Sequence, residues 1–200
     1  MSKQQQGSNK EQSLWEFQLL GTRETFQSYN RVYWALAGGI LLGLSQLHSV
    51  LTLVSFFVFA PLILALLEGC FAKRRTVVLI LTAFLLPYAI MSSFWLFSFG
   101  RFNAVFIILL STLIKLAAFF PLYIRRGEKS LPLVCSTLFI AWLGIDTLHL
   151  HWAFSYPLQS LGVNLLDFPA WVQWYAWTGA SGGTVWILLV NVGLAICARL

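Results

Sequence analysis

The chain has 200 residues, 58% of them hydrophobic and only 10% charged. A soluble domain of this size needs a far more polar surface, so that class is excluded. The net charge of +6, in a chain this apolar, points to basic loops beside a membrane rather than to nucleic acid.

Residues 1–12, MSKQQQGSNKEQ, are polar and read as disordered. Residues 13–30 scatter Leu14, Trp15, Phe17, Phe26 and Tyr29 among polar residues, which suits either an interfacial segment or a tail. Residues 1–31 together are expected to form a cytoplasmic tail and interfacial segment. They hold no early apolar core and no small-residue cleavage site, so the first span is expected to act as an uncleaved signal anchor.

About six spans follow within residues 32–200. The first covers about Val32 to Leu47, short and rich in glycine (Gly38, Gly39, Gly43), which permits close helix approach. The second covers about Val50 to Glu68, after a tight turn at SQLHS. The third runs from about Thr76 to Phe99, with a kink expected at Pro87. The fourth runs from about Asn103 to Ile124 and the fifth from about Leu131 to Leu150. The sixth runs from about Gly179 to the end. No internal repeat is visible. The fold class is therefore all-α, a polytopic helical membrane bundle.

Lys and Arg set the orientation. Lys3, Lys10, Arg23 and Arg31 precede the first span; Lys73, Arg74 and Arg75 separate the second from the third; Arg125, Arg126 and Lys129 separate the fourth from the fifth; Arg199 closes the chain. Six spans put all of these on one side, with Arg101 alone opposite. Both termini are then cytoplasmic, and residues 151–178 face outward. That external segment, HWAFSYPLQSLGVNLLDFPAWVQWYAWT, crowds Trp and Tyr at headgroup level, as an interfacial belt would. Pro157, Pro169, Gly162 and Asn164 add turn chemistry, so a lipid or partner surface is the alternative to a plain belt.

Lys115 in the fourth span and Asp146 in the fifth are costly in lipid and are expected to face the bundle interior, where a pair between them is one arrangement. Lys115 snorkelling toward the interface is another. A coupled ion pathway needs more such residues. Asp146, His149 and His151 suggest a metal, but histidines two apart lie on different faces of a helix and no third ligand is evident. No metal and no cofactor are expected. Cys70, Cys135 and Cys197 lack metal-site spacing and read as packing residues. Gly179-Ala180-Ser181-Gly182 resembles the serine motif of rhomboid intramembrane proteases. The histidine partner of that family lies after the serine, whereas His48, His149 and His151 all precede Ser181. A nucleophile elbow fails as well, because no strand precedes it. Thr178 to Gly183 therefore reads as a helix start with small packing residues, Thr178 being the candidate N-cap.

The run Trp142-Leu-Gly-Ile-Asp146-Thr-Leu-His149-Leu-His151-Trp152, then Phe154-Ser-Tyr156-Pro157 and Leu161-Gly162, resembles apolipoprotein N-acyltransferase. So does the continuation WVQWYAWTGASGGTVWILLVNVGLA, with Val190-Asn191 inside its span. The paired histidines look most like the Bacteroidota branch. Asp146 stands where that family usually has Glu, and histidine replaces a basic residue shortly after. The resemblance implies a bacterial inner-membrane protein of lipoprotein maturation. Its partners would be a phospholipid acyl donor, a diacylglyceryl lipoprotein acceptor and a nitrilase-like catalytic domain, in cis or in trans. That domain carries the family's Glu-Lys-Cys triad, and no catalytic residue is assigned here. The 200 residues end after the sixth span, so they read as the N-terminal membrane part, truncated or separately encoded and inactive alone. By this resemblance, Trp95, Trp142, Asp146, His149, His151, Trp152, Tyr156, Trp174 and Tyr175 are expected to line lipid entry. The alternatives are a standalone lipid-binding or scaffold protein and, last, a rhomboid-like protease using Ser181.

Overall fold

The computed structural model of the chain describes residues 30–69, 74–124, 130–151 and 160–198. The readings of residues 1–29, of Trp152 and Tyr156, and of basic residues such as Lys73, Arg125, Arg126, Lys129 and Arg199 lie outside the described residues. Among the described residues there is no strand. The elements are α1 (30–45), a 3-10 segment Ser49–Val54 running into α2 (Ser55–Gly69), α3 (Arg74–Ser92), a 3-10 segment Phe94–Ser98, α4 (Arg101–Ala118), α5 (Phe120–Ile124), α6 (Leu131–His151), two 3-10 turns at Gly162–Asp167 and Pro169–Trp171, and α7 (Tyr175–Cys197).

Among the described residues, five stretches are long and apolar enough to cross a membrane: Ser49–Leu67, Arg75–Ser92, Arg101–Ala118, Leu131–Leu148 and Tyr175–Cys197. These match the second to sixth expected spans. The first expected span is helical over residues 30–45, about 24 Å at ~1.5 Å per residue. This described part alone is shorter than a hydrocarbon core of about 30 Å. Its packing still aligns it with the bundle. A Cβ on Gly39 would collide with the Phe84 carbonyl, and one on Gly43 would lie 2.6 Å from the Met91 Cβ. Both positions advance together along the two helices, so α1 runs parallel to α3 at backbone contact. The glycines serve close approach, as the sequence suggests.

The other pairings fix the up-and-down order. Phe56 meets the Trp186 ring edge-on at 5.1 Å, and Phe59 bonds to Asn191. Helices α2 and α7 therefore run parallel. In consequence the turn 46–48, the 3-10 segments Ser49–Val54 and Phe94–Ser98, the last turn of α6 and residues 160–174 gather at one end of the bundle. The core is aromatic at its centre: Trp142 packs edge-on against Phe59 at 4.9 Å and tilted against Tyr88 at 5.7 Å, while Phe59 also meets Phe84. Only about a third of the α4 and α7 windows is buried, so their outward apolar faces are those a bilayer would solvate.

Two helices break where the sequence only partly announces it. Helix α3 continues past Pro87 and gives way to 3-10 structure at Ser92–Ser93. In the second span, 3-10 geometry through Val54 switches to α at Ser55. The switch is clasped from α7: the Asn191 side-chain oxygen accepts from the Phe59 and Ala60 N–H groups at 2.8 and 3.0 Å. Its NH2 donates to the Ser55 and Ile187 carbonyls at 2.9 and 2.8 Å. In hydrocarbon no water can take these groups, so the side chain must. Replacing Asn191→Leu leaves buried amides without that acceptor, at about 1–3 kcal/mol each. We expect a loss of roughly 2–4 kcal/mol in denaturant unfolding from detergent or bicelles, against a much smaller loss for Leu189→Ala on the exposed face. Equal losses for the two variants would show that the clasp carries no stability.

Candidate functional site

Asp146 lies on α6, 2% exposed, within two turns of the helix end that faces residues 160–174. An isolated carboxylate at such a depth is costly, about 2.5–3.5 kcal/mol on insertion scales, so it needs donors. It finds them in two hydroxyls on different elements. Thr184 of α7 donates to the Asp146 carboxylate at 2.7 Å, and Ser160 at 3.0 Å. Thr184 in turn accepts from the Gly162 N–H at 3.1 Å, and the Tyr175 hydroxyl donates to the Gly162 carbonyl at 2.8 Å. Asp146, Thr184, Gly162 and Tyr175 thus form one chain of hydrogen bonds that ties the 160–167 segment onto α6 and α7. Gly162 has room for nothing more, since a Cβ there would collide with the Ala180 carbonyl.

Lys115 is the second buried charge, 1% exposed. It does not snorkel out to the lipid interface. Its Nζ reaches one turn back along α4 to donate to the Ser111 hydroxyl at 2.7 Å, and it lies 5.4 Å from the Tyr88 ring centre, where a cation–π attraction is favourable. Both ionisable residues face the interior, as the sequence reading requires.

Beside this polar knot, α6 and α7 part into a groove of about 800 Å³. Leu143, Val185 and Leu189 line its inner part, and Thr147, Thr178 and Ser181 its outer part. Trp174 and Trp186 wall one side, their rings edge-on at 6.1 Å. Trp174 is held by its indole N–H, which donates to the Trp171 carbonyl at 2.8 Å. Gly179 shapes the mouth: at φ +62° it breaks the helical path inside α7, a conformation that favours glycine. The short turn before the break carries Trp177, 92% exposed. Thr178 is not the expected N-cap. The helix starts at Tyr175, and the Thr178 hydroxyl donates to the Trp174 and Gly179 carbonyls rather than accepting an N–H. Ser181 lines the groove, and the described residues around it include no histidine, lysine or carboxylate. Among the described residues none takes its proton, so the protease reading gains no support.

Of the expected lining residues, Asp146 and Tyr175 join through Thr184 and Gly162, and Trp174 stands beside Tyr175 at 5.0 Å, ring edge to face. Trp142 is 1% exposed in the aromatic core one turn along α6 from Asp146. Trp95 sits on the 3-10 segment after α3, edge-on to Phe99 at 5.8 Å. His149 and His151 fall on the last turn of α6; their side chains, with Trp152 and Tyr156, lie outside what is described. Sequence reasoning missed Ser160, Thr184 and Trp186. Thr184 is 38 residues from Asp146, so no local spacing marks the pair; the one clue was that a buried Asp demands donors.

The knot gives a specific expectation. Thr184→Val removes the donor to Asp146 and the acceptor for Gly162 together. A cysteine placed at the exposed Gln173 should then react with a water-soluble maleimide several-fold faster in intact membranes, because the 160–167 segment loses its attachment. Thr184→Ser should label like the parent. An unchanged rate in the valine variant would mean that packing alone holds the segment.

The comparison with protein families matches residues 38–193 to the apolipoprotein N-acyltransferase N-terminal domain. No curated protein and no solved structure gives a match. The matched stretch takes in α2 to α7, the glycine side of α1, the Asp146–Thr184 knot and the α6–α7 groove. With its multi-span all-helical bundle and more than half its length matched, the chain belongs to the apolipoprotein N-acyltransferase N-terminal domain family.

Proposed function

We propose that this chain is the membrane part of an apolipoprotein N-acyltransferase of the bacterial inner membrane. Both termini would be cytoplasmic, and residues 151–178 would face outward. The observation that carries the reading is the buried carboxylate of Asp146, bonded to Ser160 and Thr184. It fixes an aromatic segment across the outer end of a lipid-solvated bundle. Such a segment offers a shaped surface at headgroup depth, where both substrates of the reaction present their reacting groups. The overall reaction moves an acyl chain from a phospholipid to a cysteine thioester, and then to the amino group of a lipoprotein's N-terminal S-diacylglyceryl cysteine. Covalent chemistry falls to a nitrilase-like domain, in cis or in trans. The role of these residues is to anchor that domain and to bring two lipid substrates to it in the plane of the membrane, which turns a three-dimensional search into an oriented encounter.

Trp95, Asp146, Trp174 and Tyr175 fit this role at the outer end of the bundle. Trp142 fits it indirectly, by fixing the turn of α6 below Asp146 (ring contacts with Phe59 and Tyr88). The test is complementation. The full chain, with a nitrilase-like acyltransferase domain supplied fused or separately, is expressed in bacteria depleted of their own N-acyltransferase. The readout is the mass of the N-terminal peptide of a mature lipoprotein. We expect the N-acyl mass only when both parts are present, and a fall of at least about tenfold, ~1.4 kcal/mol, for Asp146→Leu at equal membrane level. Full N-acylation by the catalytic domain without this chain would overturn the proposal. So would the chain's persistence as a stable membrane protein with no acylation under any pairing, which is the outcome a scaffold protein gives.

A further inference from the structure

We infer that the groove between α6 and α7 is a binding site for one acyl chain of a glycerophospholipid, with the ester region held at its outer mouth. The inference deepens the acyltransferase reading and rests on it for its biological meaning, though not for its chemistry. The groove is lined by two membrane-crossing helices on the side where α7 is left to lipid. Its polarity is graded along the bundle axis. Leu143, Val185 and Leu189 occupy the inner part, and the hydroxyls of Thr147, Thr178 and Ser181 the outer part. Ser181 to Leu189 is eight residues, about 12 Å of helix at ~1.5 Å per residue. The Thr147 and Thr178 hydroxyls donate to the Leu143, Trp174 and Gly179 carbonyls, so Ser181 is the donor left for an ester oxygen, and a molecule that is hydrocarbon over that length with an ester at one end matches the gradient. The helix of a second copy does not, because it would set an apolar surface against the three hydroxyls. The volume, about 800 Å³, falls within the ~300–1,000 Å³ of small-molecule clefts.

Three features make this a formed site rather than a passing gap between helices. Trp174 is pinned by its bond to the Trp171 carbonyl. Its ring lies over Gly182, where any Cβ would run into Trp174 and Thr178. Trp186, the second wall, is braced from behind by Phe56 of α2. Gly182 therefore lets the Trp174 ring close onto α7, and the small Ser181 leaves the slot beside that aromatic wall. The bond from Thr184 to Asp146, on the inward side of the same turn, holds α7 in register with α6 while the slot faces out.

The probe is phosphatidylethanolamine with a photoactivatable diazirine in its acyl chain, mixed at low mole fraction into bilayers holding the full chain. Adducts are mapped by peptide mass. We expect Leu143, Val185 and Leu189 to label at least fivefold above Phe106, Leu109 and Leu113, which are exposed on α4 and sample bulk lipid. Val185→Trp should fill the slot and abolish the excess while α4 labelling stays the same, so the α4 signal reports that the variant is folded. Should it not fold, Leu189→Phe provides the same test. Even labelling of groove and α4, or an excess that survives the filled slot, would overturn the inference. So would displacement of the probe by a diacylglyceryl-cysteine lipopeptide but not by unlabelled phosphatidylethanolamine, which would make the occupant the acceptor. Failure of the groove test with intact complementation would sink this site alone; groove labelling without N-acylation would sink the acyltransferase reading and leave the site.

Discussion

A helix inside hydrocarbon has no water to turn to, so every departure from regular geometry must be satisfied by another part of the chain. This constraint organises the bundle around Asn191. The second span changes from 3-10 to α geometry at Ser55, and Pro61, nearly two turns later, has no N–H to give. One amide side chain from α7 answers with three hydrogen bonds to α2, two accepted and one donated, and a fourth to the Ile187 carbonyl of its own helix. That requirement holds α2 and α7 side by side and parallel. The pairing in turn decides that the aromatic loop returns to the end of the bundle where α2 begins.

The same logic works at the end of the bundle that carries the aromatic loop, with a charge in place of an amide. Asp146 is stable where it lies because Thr184 and Ser160 donate to it, and Thr184 can also hold Gly162 because a hydroxyl accepts while it donates. Tyr175 closes the circuit on the Gly162 carbonyl. Two helices and a loop are thereby set relative to one another by directional bonds, in a setting where apolar contact gives no preference between one helix neighbour and the surrounding lipid. Lys115 follows suit through Ser111 and the Tyr88 ring.

Span positions were legible because length and apolarity suffice to mark a crossing helix. Burial of Asp146 and Lys115 was legible because the cost of a charge in lipid leaves it little choice. Glycine contacts along the first helix were legible because small residues in a span permit close helix approach, as Gly39 against Phe84 bears out. What stayed hidden was long-range. Thr184 and Ser160 are ordinary residues until the fold brings them to Asp146, and Val190-Asn191 looked like a family signature rather than a clasp on a helix 130 residues earlier. The ends of helices were also misread. Helix α3 carries Pro87 inside it, and the 3-10 change at Ser92–Ser93, where side-chain hydroxyls compete for backbone groups, was not foreseen. Thr178 suggested a cap, yet α7 begins earlier, at Tyr175, and breaks at Gly179.

The run Thr178 to Gly183 shows why a motif needs its surroundings. As letters it resembles a protease's serine loop. In place, each small residue answers a different steric demand. Gly179 takes a backbone angle that bends the entry to the helix. Gly182 makes room for the Trp174 ring, and Gly183 for the Tyr175 hydroxyl. Ala180 presents its carbonyl to Gly162 at backbone contact. Ser181, with Thr178, turns to the groove, whose described lining residues include no base. A nucleophile would need the opposite, a serine turned inward toward a proton acceptor. The helix thus keeps its hydrogen-bonding residues, Thr184 and Asn191, on the inside, and offers outward a polar mouth above an apolar slot. That division of faces suits a helix whose work is to hold a loop in place on one side and to meet lipid on the other.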